Sequence, residues 1–129
     1  MIGFGTSIPI HLCCSPTDMR KNFDGLCGLI TQHFKKDPLR DGVFVFVNRR
    51  CDKMKILFWD RHGFWILFKR LEAGVFQMPR AERDENSIDS IKITYEQLVM
   101  ILEGIDLTTI KRRKRYNKSD NIHRHFGIL

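Results

Sequence analysis

The most constraining feature of this sequence is the stretch KILFWDRHGFWILFKRLE, residues 55–72, in which two apolar runs flank a short polar turn. Runs of β-branched and aromatic residues bounded by turn residues predict strands, so residues 54–59 and 64–71 are expected to form a β-hairpin. Asp60 and Gly63 fit a type I turn that ends in a left-handed glycine with a bulge. That turn pairs Asp60 with Phe64, Trp59 with Trp65, Leu57 with Leu67, Lys55 with Lys69, Phe58 with Ile66 and Ile56 with Phe68.

Both faces of the predicted hairpin are apolar, although an antiparallel sheet with one wet face should alternate with polar residues. We expect the face that carries the phenylalanines and isoleucines to be core. The second face needs an apolar cover, from a helix or from a second copy in a homodimer, because its leucines favour a dry neighbour over stacked nucleic acid bases. The candidate interface residues on this second face are Leu57, Trp59, Trp65, Leu67 and Leu71.

Two helices are expected to pack on the strands. Apolar residues spaced every three or four positions predict the first helix over residues 19–35, with Ser15 or Thr17 as its N-cap. A capping box, residues 94–97, opens the second helix, which should end near Gly104.

Shorter apolar runs predict further strands at residues 8–13, 43–47 and 88–93, and residues 72–74 form a turn leading into Val75 and Phe76. This order predicts an α+β fold, in which an antiparallel β-meander of about four to six strands is packed by two helices. Residues 1–107 are expected to form a single domain, and residues 108–129 a disordered basic C-terminal tail.

The net charge of +7 is concentrated in the tail, because residues 108–129 hold seven Lys or Arg and a single acid. A second basic cluster spans residues 49–70, where hairpin pairing brings the strand ends towards the loop at Arg49. Such clusters track nucleic acid phosphates. The alternative is that Lys and Arg on an edge strand only discourage aggregation. The candidate nucleic-acid-binding residues are Arg49, Arg50, Lys53, Lys55, Lys69, Arg70, Lys111, Arg112, Arg113, Lys114 and Arg115.

No catalytic, cofactor or metal site can be assembled from the sequence. The acids of its first half have local explanations: Asp18 faces a helix dipole, Asp24 pairs with Arg20, and Asp52 and Asp60 lie in turns. No phosphate-binding glycine motif, zinc spacing or Ser/His/Asp set is present. The sequence therefore predicts a protein that is not an enzyme and has no cofactor. Without a membrane-length apolar run or a signal peptide, it is expected to be soluble and cytoplasmic.

Five motifs occur in a fixed order along the chain: TDMRKNFDGLCGL, VFVFVNRR, KMKILFWD, GFWILFKRLEAGVF and LVMILEGI. They resemble the small accessory protein, called TnpB and encoded by the second open reading frame, of the insertion sequence 66 family of bacterial transposable elements. The resemblance covers residues 10–107. It implies a role in DNA transposition beside a separate transposase, and it transfers no catalytic residue to this chain.

Two functions are compatible with that resemblance. The first is a DNA-binding accessory protein that helps the transposase engage the ends of the element, so that its partners are DNA and the transposase. The alternative is a protein-interaction module that docks on the transposase without significant DNA binding. The two functions differ in salt dependence, because binding to phosphates weakens steeply as salt rises.

Overall fold

One mixed sheet organises the fold, and a helix packs on each of its faces. The computed structural model describes residues 7–79 and 90–104. Along the chain the elements are β1 (Ile10–Cys13), α1 (Phe23–Gln32), β2 (Val43–Val47), β3 (Lys53–Asp60), β4 (Gly63–Arg70), β5 (Ser90–Ile93) and α2 (Tyr95–Glu103). The five strands form a single sheet in the order β4-β3-β2-β1-β5. The predicted α+β class is confirmed.

The meander is shorter than the sequence suggests, because β1 and β2 run parallel. Ile10 lies beside Val43 and Leu12 beside Val45 in that pair. Parallel neighbours need a crossover connection, and α1 supplies it. Only β2, β3 and β4 form an antiparallel meander, while β5 pairs antiparallel with β1 at the opposite edge of the sheet.

Helix α1 begins four residues later than the first residue of its predicted stripe. Its N-cap is Asn22, whose side chain makes no capping hydrogen bond. Thr17 was an expected cap, but its side chain is buried and its backbone N–H donates to the carbonyl oxygen of Val47 at 2.9 Å. The chain from residue 14 to residue 22 is therefore a connection tied to the end of β2, not the first turn of the helix.

Helix α2 begins as the capping box predicts. The Thr94 side chain accepts a hydrogen bond from the backbone N–H of Gln97, and the Gln97 side chain accepts one from the N–H of Thr94. The helix ends at Gly104, which takes the left-handed conformation with φ 77° that glycine adopts without penalty. The boundary expected at residues 107–108 lies outside the described residues.

Each face of the sheet has its own buried cluster. On the α1 face the buried residues are Cys13, Leu26, Ile30, Phe44, Phe46 and Leu57. On the α2 face they are Ile10, Leu12, Val43, Val45, Val47, Met54, Ile56, Phe58, Phe76, Ile93, Leu98, Ile101 and Leu102. Phe76 forms no strand, but its N–H donates to the carbonyl oxygen of Cys51 at 2.7 Å and its ring completes the α2 face. Burial on both faces explains why β3 is apolar on both sides, whereas no residue of β4 is fully buried.

The register of the β3–β4 hairpin differs from the prediction by one residue. Asp60 pairs with Gly63 across a two-residue turn, and the positive φ of 56° falls on Arg61 instead of Gly63. A shift of one residue moves every side chain of a strand to the opposite face. On the α1 face Trp59 pairs with Phe64, Leu57 with Ile66 and Lys55 with Phe68, and on the α2 face Phe58 pairs with Trp65, Ile56 with Leu67 and Met54 with Lys69.

Stability between about pH 5 and 7 should depend on His11 in β1. Its ring stacks on Phe44 with centroids 5.0 Å apart, and Nε2–H donates to the carbonyl oxygen of Asp41 at 2.8 Å. Burial lowers the pKa of His11 below 6.5, with smaller contributions from Lys36 and Lys92, against the opposing pull of the Asp41 carbonyl and carboxylate. The unfolded chain then binds the proton first as pH falls, so stability is full above pH 6.5 and declines towards the lower folded pKa.

The variant His11→Gln should lose this pH dependence, because glutamine can donate the same hydrogen bond without titrating. Urea unfolding in steps between about pH 5 and 7.5 measures it. Equal slopes of unfolding free energy against pH in the two proteins would show that His11 is not the responsible group.

Candidate nucleic-acid interface

Four of the six basic candidate residues that lie in the described part of the chain meet at one end of the sheet. Strands β1, β2 and β4 finish there and β3 and β5 begin there, because Cys13 lies beside Ser90, Val47 beside Met54, and Lys53 beside Arg70. The connection over residues 14–22 and the loop over residues 48–52 lie at this end too. We call it the basic end, with Lys21, Arg49, Arg50, Lys53 and Arg70 as its defining residues.

The side chain of Asn48 organises the loop that carries the two arginines. Its Oδ1 accepts hydrogen bonds from the backbone N–H groups of Asp52 and Lys53, each at 3.0 Å, and its Nδ2 donates to Oδ1 of Asp52 at 2.6 Å. Local side-chain to backbone bonds of this kind are how Asn stabilises turns. The hydrogen bond from Asn48 lowers the pKa of Asp52, so its carboxylate stays charged and bonded at neutral pH.

Arg49 and Arg50 are exposed at the tip of this loop. Within residues 7–79 and 90–104, the ion pairs of arginine join Arg20 to Asp18, Arg40 to Asp37 and Arg70 to Glu72, and neither loop arginine takes part. The loop backbone is also constrained, since Cys51 has a positive φ of 56° and its N–H donates to the carbonyl oxygen of Asn48. The loop thus presents two guanidinium groups on a braced backbone.

Lys55 does not belong to this exposed set, although the sequence placed it among the phosphate contacts. Its side chain is buried, and Nζ donates to the carbonyl oxygens of Met19 at 2.9 Å and Lys21 at 2.7 Å and to Oδ1 of Asn22 at 3.0 Å. Nζ also lies 5.1 Å from the ring centroid of Phe68. Three acceptors match the three protons of an ammonium group, so Lys55 ties the connection over residues 14–22 to the sheet and has no proton left for a phosphate.

The remaining hairpin cations are divided between the faces. Lys53 pairs with Arg70 on the α1 face, whereas Lys69 pairs with Met54 on the α2 face. Arg70 donates to Glu72 at 3.0 Å, which leaves its side chain exposed but already paired. Lys53 therefore lies nearest the two loop arginines in strand order, and Lys69 points away from the α1 face.

Asp18 has a different role from the expected helix-dipole partner. It forms a two-pronged ion pair with the guanidinium of Arg20, with Nη2 2.7 Å from Oδ2, and it accepts the backbone N–H of Arg20 at 2.9 Å. These hydrogen bonds lower the pKa of Asp18 to about 2. The predicted pairing of Asp24 with Arg20 is therefore wrong, because Arg20 is held by Asp18 before α1 begins.

The five candidate interface residues do not share a face. Leu57 is buried under α1, while Leu67 and Leu71 pack against the cluster of the α2 face. Trp59 remains exposed on the α1 face and Trp65 on the α2 face. The prediction that these five residues share one face is therefore wrong, and the two exposed tryptophans lie on opposite sides of the hairpin.

A cleft of about 330 Å³ opens beside Arg49, at the carboxyl ends of the parallel strands β1 and β2. In open sheets with parallel strands, this is the position where ligands commonly bind. The walls combine apolar residues, three of the four cysteines and a few polar side chains. The lining residues are Leu12, Cys13, Cys14, Ser15, Pro16, Val47, Asn48, Arg49, Cys51, Met78, Pro79 and Ile91. Burial raises the pKa of the Cys51 thiol, so this group is protonated and unreactive near neutral pH.

Two further findings concern metal binding and membrane insertion by the described residues. Within residues 7–79 and 90–104, no three His, Cys, Asp or Glu side chains are grouped so that they could hold a metal ion. In the same part of the chain, neither helix has the length and apolar character needed to cross a membrane. The tail candidates Lys111, Arg112, Arg113, Lys114 and Arg115 lie outside the described residues.

The fold and its basic end define a small α+β domain that presents a braced arginine loop. The family described as IS66 Orf2 like protein, TnpB_IS66, matches residues 8–112, and the chain belongs to this family. It is accordingly an accessory protein of an insertion sequence, and the resemblance noted from the motifs is confirmed.

Two relatives from Sinorhizobium fredii (strain NBRC 101917 / NGR234) are similar over most of their length. The one named "Uncharacterized protein y4jC" is 29% identical over 113 residues, which are 88% of this chain and 92% of the relative. The one named "Uncharacterized protein y4hO" is 32% identical over 106 residues, which are 82% of this chain and 88% of the relative. No solved structure matches this chain.

Sequence reasoning missed the structural roles of Asn48 and Lys55, the two residues that shape the site. Asn48 is the first residue of the stretch NRRCD, residues 48–52, and an Asn followed by an Asp four residues later indicates a turn held by side-chain hydrogen bonds. No comparable signal marks Lys55, since its acceptors come from residues more than 30 positions away in the chain.

Proposed function

We propose that this protein binds DNA as an accessory to transposition, and that its basic end contacts the phosphate backbone near the ends of the element. The observation that carries the proposal is the loop in which Asn48 braces Arg49 and Arg50. Arginine matches phosphate with two parallel hydrogen bonds, and a braced loop loses little freedom on binding. Both guanidinium groups are exposed, and no carboxylate of the described residues forms an ion pair with them.

The contacts expected of this loop are to phosphate and not to bases. Helix α1 packs its buried residues Leu26 and Ile30 against the sheet, and α2 packs Leu98, Ile101 and Leu102 against the opposite face. Phosphate contacts position a protein on DNA, whereas base edges carry the sequence information. The proposal therefore includes Lys53 and the tail cations, residues 111–115, as further phosphate contacts, and it assigns recognition of the element's sequence to the transposase.

A second candidate function is docking on the transposase without significant DNA binding. The cleft beside Arg49 favours it, because an apolar wall next to a cation suits a partner segment with one apolar and one acidic side chain. Pull-down of the transposase by the full chain in nuclease-treated extract would support this second function independently of DNA.

The decisive measurement is binding to element-end DNA as a function of salt. The double variant Arg49→Gln/Arg50→Gln should make the negative slope of log K against log salt shallower by about 1.8, because each lost phosphate contact removes about 0.9 from its magnitude. At low salt its affinity should fall by roughly 10- to 100-fold. A full chain with residues 111–115 all changed to Gln tests the tail in the same assay.

The matched control is Arg40→Gln/Arg61→Asn, which also removes two positive charges but does so at the opposite end of the sheet. Arg61 already has a positive φ, which asparagine tolerates. An equal loss of affinity in this control would mean that net charge alone matters. If the unchanged protein shows no binding to DNA at low salt, the DNA-binding function is wrong and docking on the transposase replaces it.

A further inference from the structure

Strand β4 is an unusually open edge of the sheet. It is eight residues long, and among the described strands it pairs only with β3. Natural edge strands are usually guarded by proline, by charged residues, by bulges or by short length. In β4 the run from Gly63 to Phe68 contains no charge and no proline, and the cations Lys69 and Arg70 stand only at its end. The other edge, β5, is four residues long and carries Lys92 in its interior.

Exposed aromatic rings flank this edge on both faces. On the α1 face Trp59 is 38% exposed and Phe68 56%, and on the α2 face Trp65 is 49% exposed. Trp59 packs edge-to-face on Phe64 with ring centroids 5.0 Å apart, so this exposed ring is held against β4. Large exposed apolar groups beside unpaired backbone mark a surface that binds another chain.

We propose that β4 pairs antiparallel with the β4 strand of a second copy of this chain, which joins the two sheets edge to edge in a homodimer. The dyad axis would pass midway between Ile66 and the partner subunit's Ile66. This register places Phe64 opposite the partner subunit's Phe68 on the α1 face, and Trp65 opposite the partner subunit's Leu67 on the α2 face. Opposed residues then share a face, as a continuous sheet with a two-fold axis normal to it requires.

The chemistry of β4 makes it self-complementary. In this register Phe64 lies across from the partner subunit's Phe68 and Trp65 across from the partner subunit's Leu67, and aromatic and large apolar cross-strand pairs are favourable in sheets. No like-charged residues are brought face to face, because Lys69 falls opposite the partner subunit's Gly63 and Arg70 opposite the partner subunit's His62. An unrelated extended peptide would satisfy the backbone equally well but would not supply this matched set of side chains.

The aromatic area that this edge can bury is modest, which suits a reversible dimer. At roughly 200 Å² per aromatic side chain, the exposed fractions of Trp59, Trp65 and Phe68 amount to about 300 Å² on each subunit. Two subunits then contribute about 600 Å² from these rings alone, roughly half of the ~1,200 Å² at which stable interfaces begin. The strand backbone and the half-buried Phe64 and Ile66 add to that area. The dimer is therefore expected to dissociate on dilution.

Sedimentation equilibrium of the full chain over a concentration series tests the proposal. The unchanged protein should shift from monomer to dimer between about 1 and 200 µM. The variant Trp65→Lys, which places a lysine against the partner subunit's Leu67, should remain a monomer throughout. Its matched control is Leu39→Lys, because Leu39 is also 49% exposed and lies in the loop before β2. That control should dimerise like the unchanged protein.

A second variant, Phe68→Thr, guards against a folding defect at Trp65 and should weaken the dimer by at least tenfold. Circular dichroism shows whether each variant is folded. Dimers that persist unchanged in folded Trp65→Lys and Phe68→Thr would place the interface elsewhere and overturn the proposal. A monomeric unchanged protein at the highest concentration would overturn it as well.

Discussion

A single methyl group added at Gly42 should destabilise the protein by about 4 kcal/mol. Gly42 has a φ of 117°, a region that residues with a side chain essentially never adopt. A Cβ at this position would also overlap the carbonyl oxygen of Pro9. That carbonyl accepts the N–H of Val43 at 2.9 Å, the contact that starts β2 beside β1. The variant Gly42→Ala must therefore either strain this turn or break the first link of the parallel pair.

The matched control for Gly42→Ala lies within the same chain. Gly28 is in α1, and a Cβ built there has no neighbouring atom within 4 Å. The variant Gly28→Ala should stabilise the protein by up to about 1 kcal/mol, because alanine favours helix over glycine by that amount. Urea unfolding of the three proteins measures both effects, which have opposite signs for the same chemical change. A midpoint for Gly42→Ala close to that of the unchanged protein would contradict the turn geometry described here.

Replacing Lys55 with leucine should cost about 3 kcal/mol of unfolding free energy. The change removes three hydrogen bonds from a charged donor and leaves the carbonyl oxygens of Met19 and Lys21 without it. Hydrogen bonds from charged groups contribute more than neutral ones, and the apolar burial of leucine offsets only part of their loss. The effect should be local as well as global, because these bonds hold the connection over residues 14–22 against the sheet.

Amide hydrogen exchange distinguishes this anchoring role from a general loss of packing. In Lys55→Leu, protection should fall first near residues 17–22, including the Thr17 N–H that donates to Val47. The control is Lys92→Leu, the same substitution at an exposed strand position, which should change stability by less than about 0.5 kcal/mol. Unchanged stability in Lys55→Leu would show that water replaces the ammonium group at little cost.

Much of the secondary structure could be predicted because its causes are local. The Thr94–Gln97 capping box, the glycine at the end of α2 and the apolar stripe of α1 act within one or two helical turns. The hairpin was also predictable as an element. Its register was not, because the choice between a bulged and a two-residue turn rests on which residue takes a positive φ, and that residue is Arg61. Neither Arg61 nor its neighbours are of a residue type that indicates a positive φ at that position.

The candidate site was predicted in part. Charge density identified the loop at Arg49 and Arg50, and the structure leaves both exposed and without an ion pair among the described residues. The same criterion selected Lys55, which charge counting cannot distinguish from an exposed lysine. Its burial depends on the return of residues 19–22 across the sheet, a contact between distant parts of the chain.

The amino-acid order alone predicts the α+β class, both helices, the strands of the meander and the basic loop, and it contains the family motifs. Each of these depends on spacing, capping or composition over a few neighbouring residues. The folded chain decides the parallel pairing of β1 with β2, the faces of Trp59 and Trp65, and the division of the lysines into a buried anchor and surface charges. These features depend on which distant segments meet, and the free energy of such contacts is absent from any local pattern in the sequence.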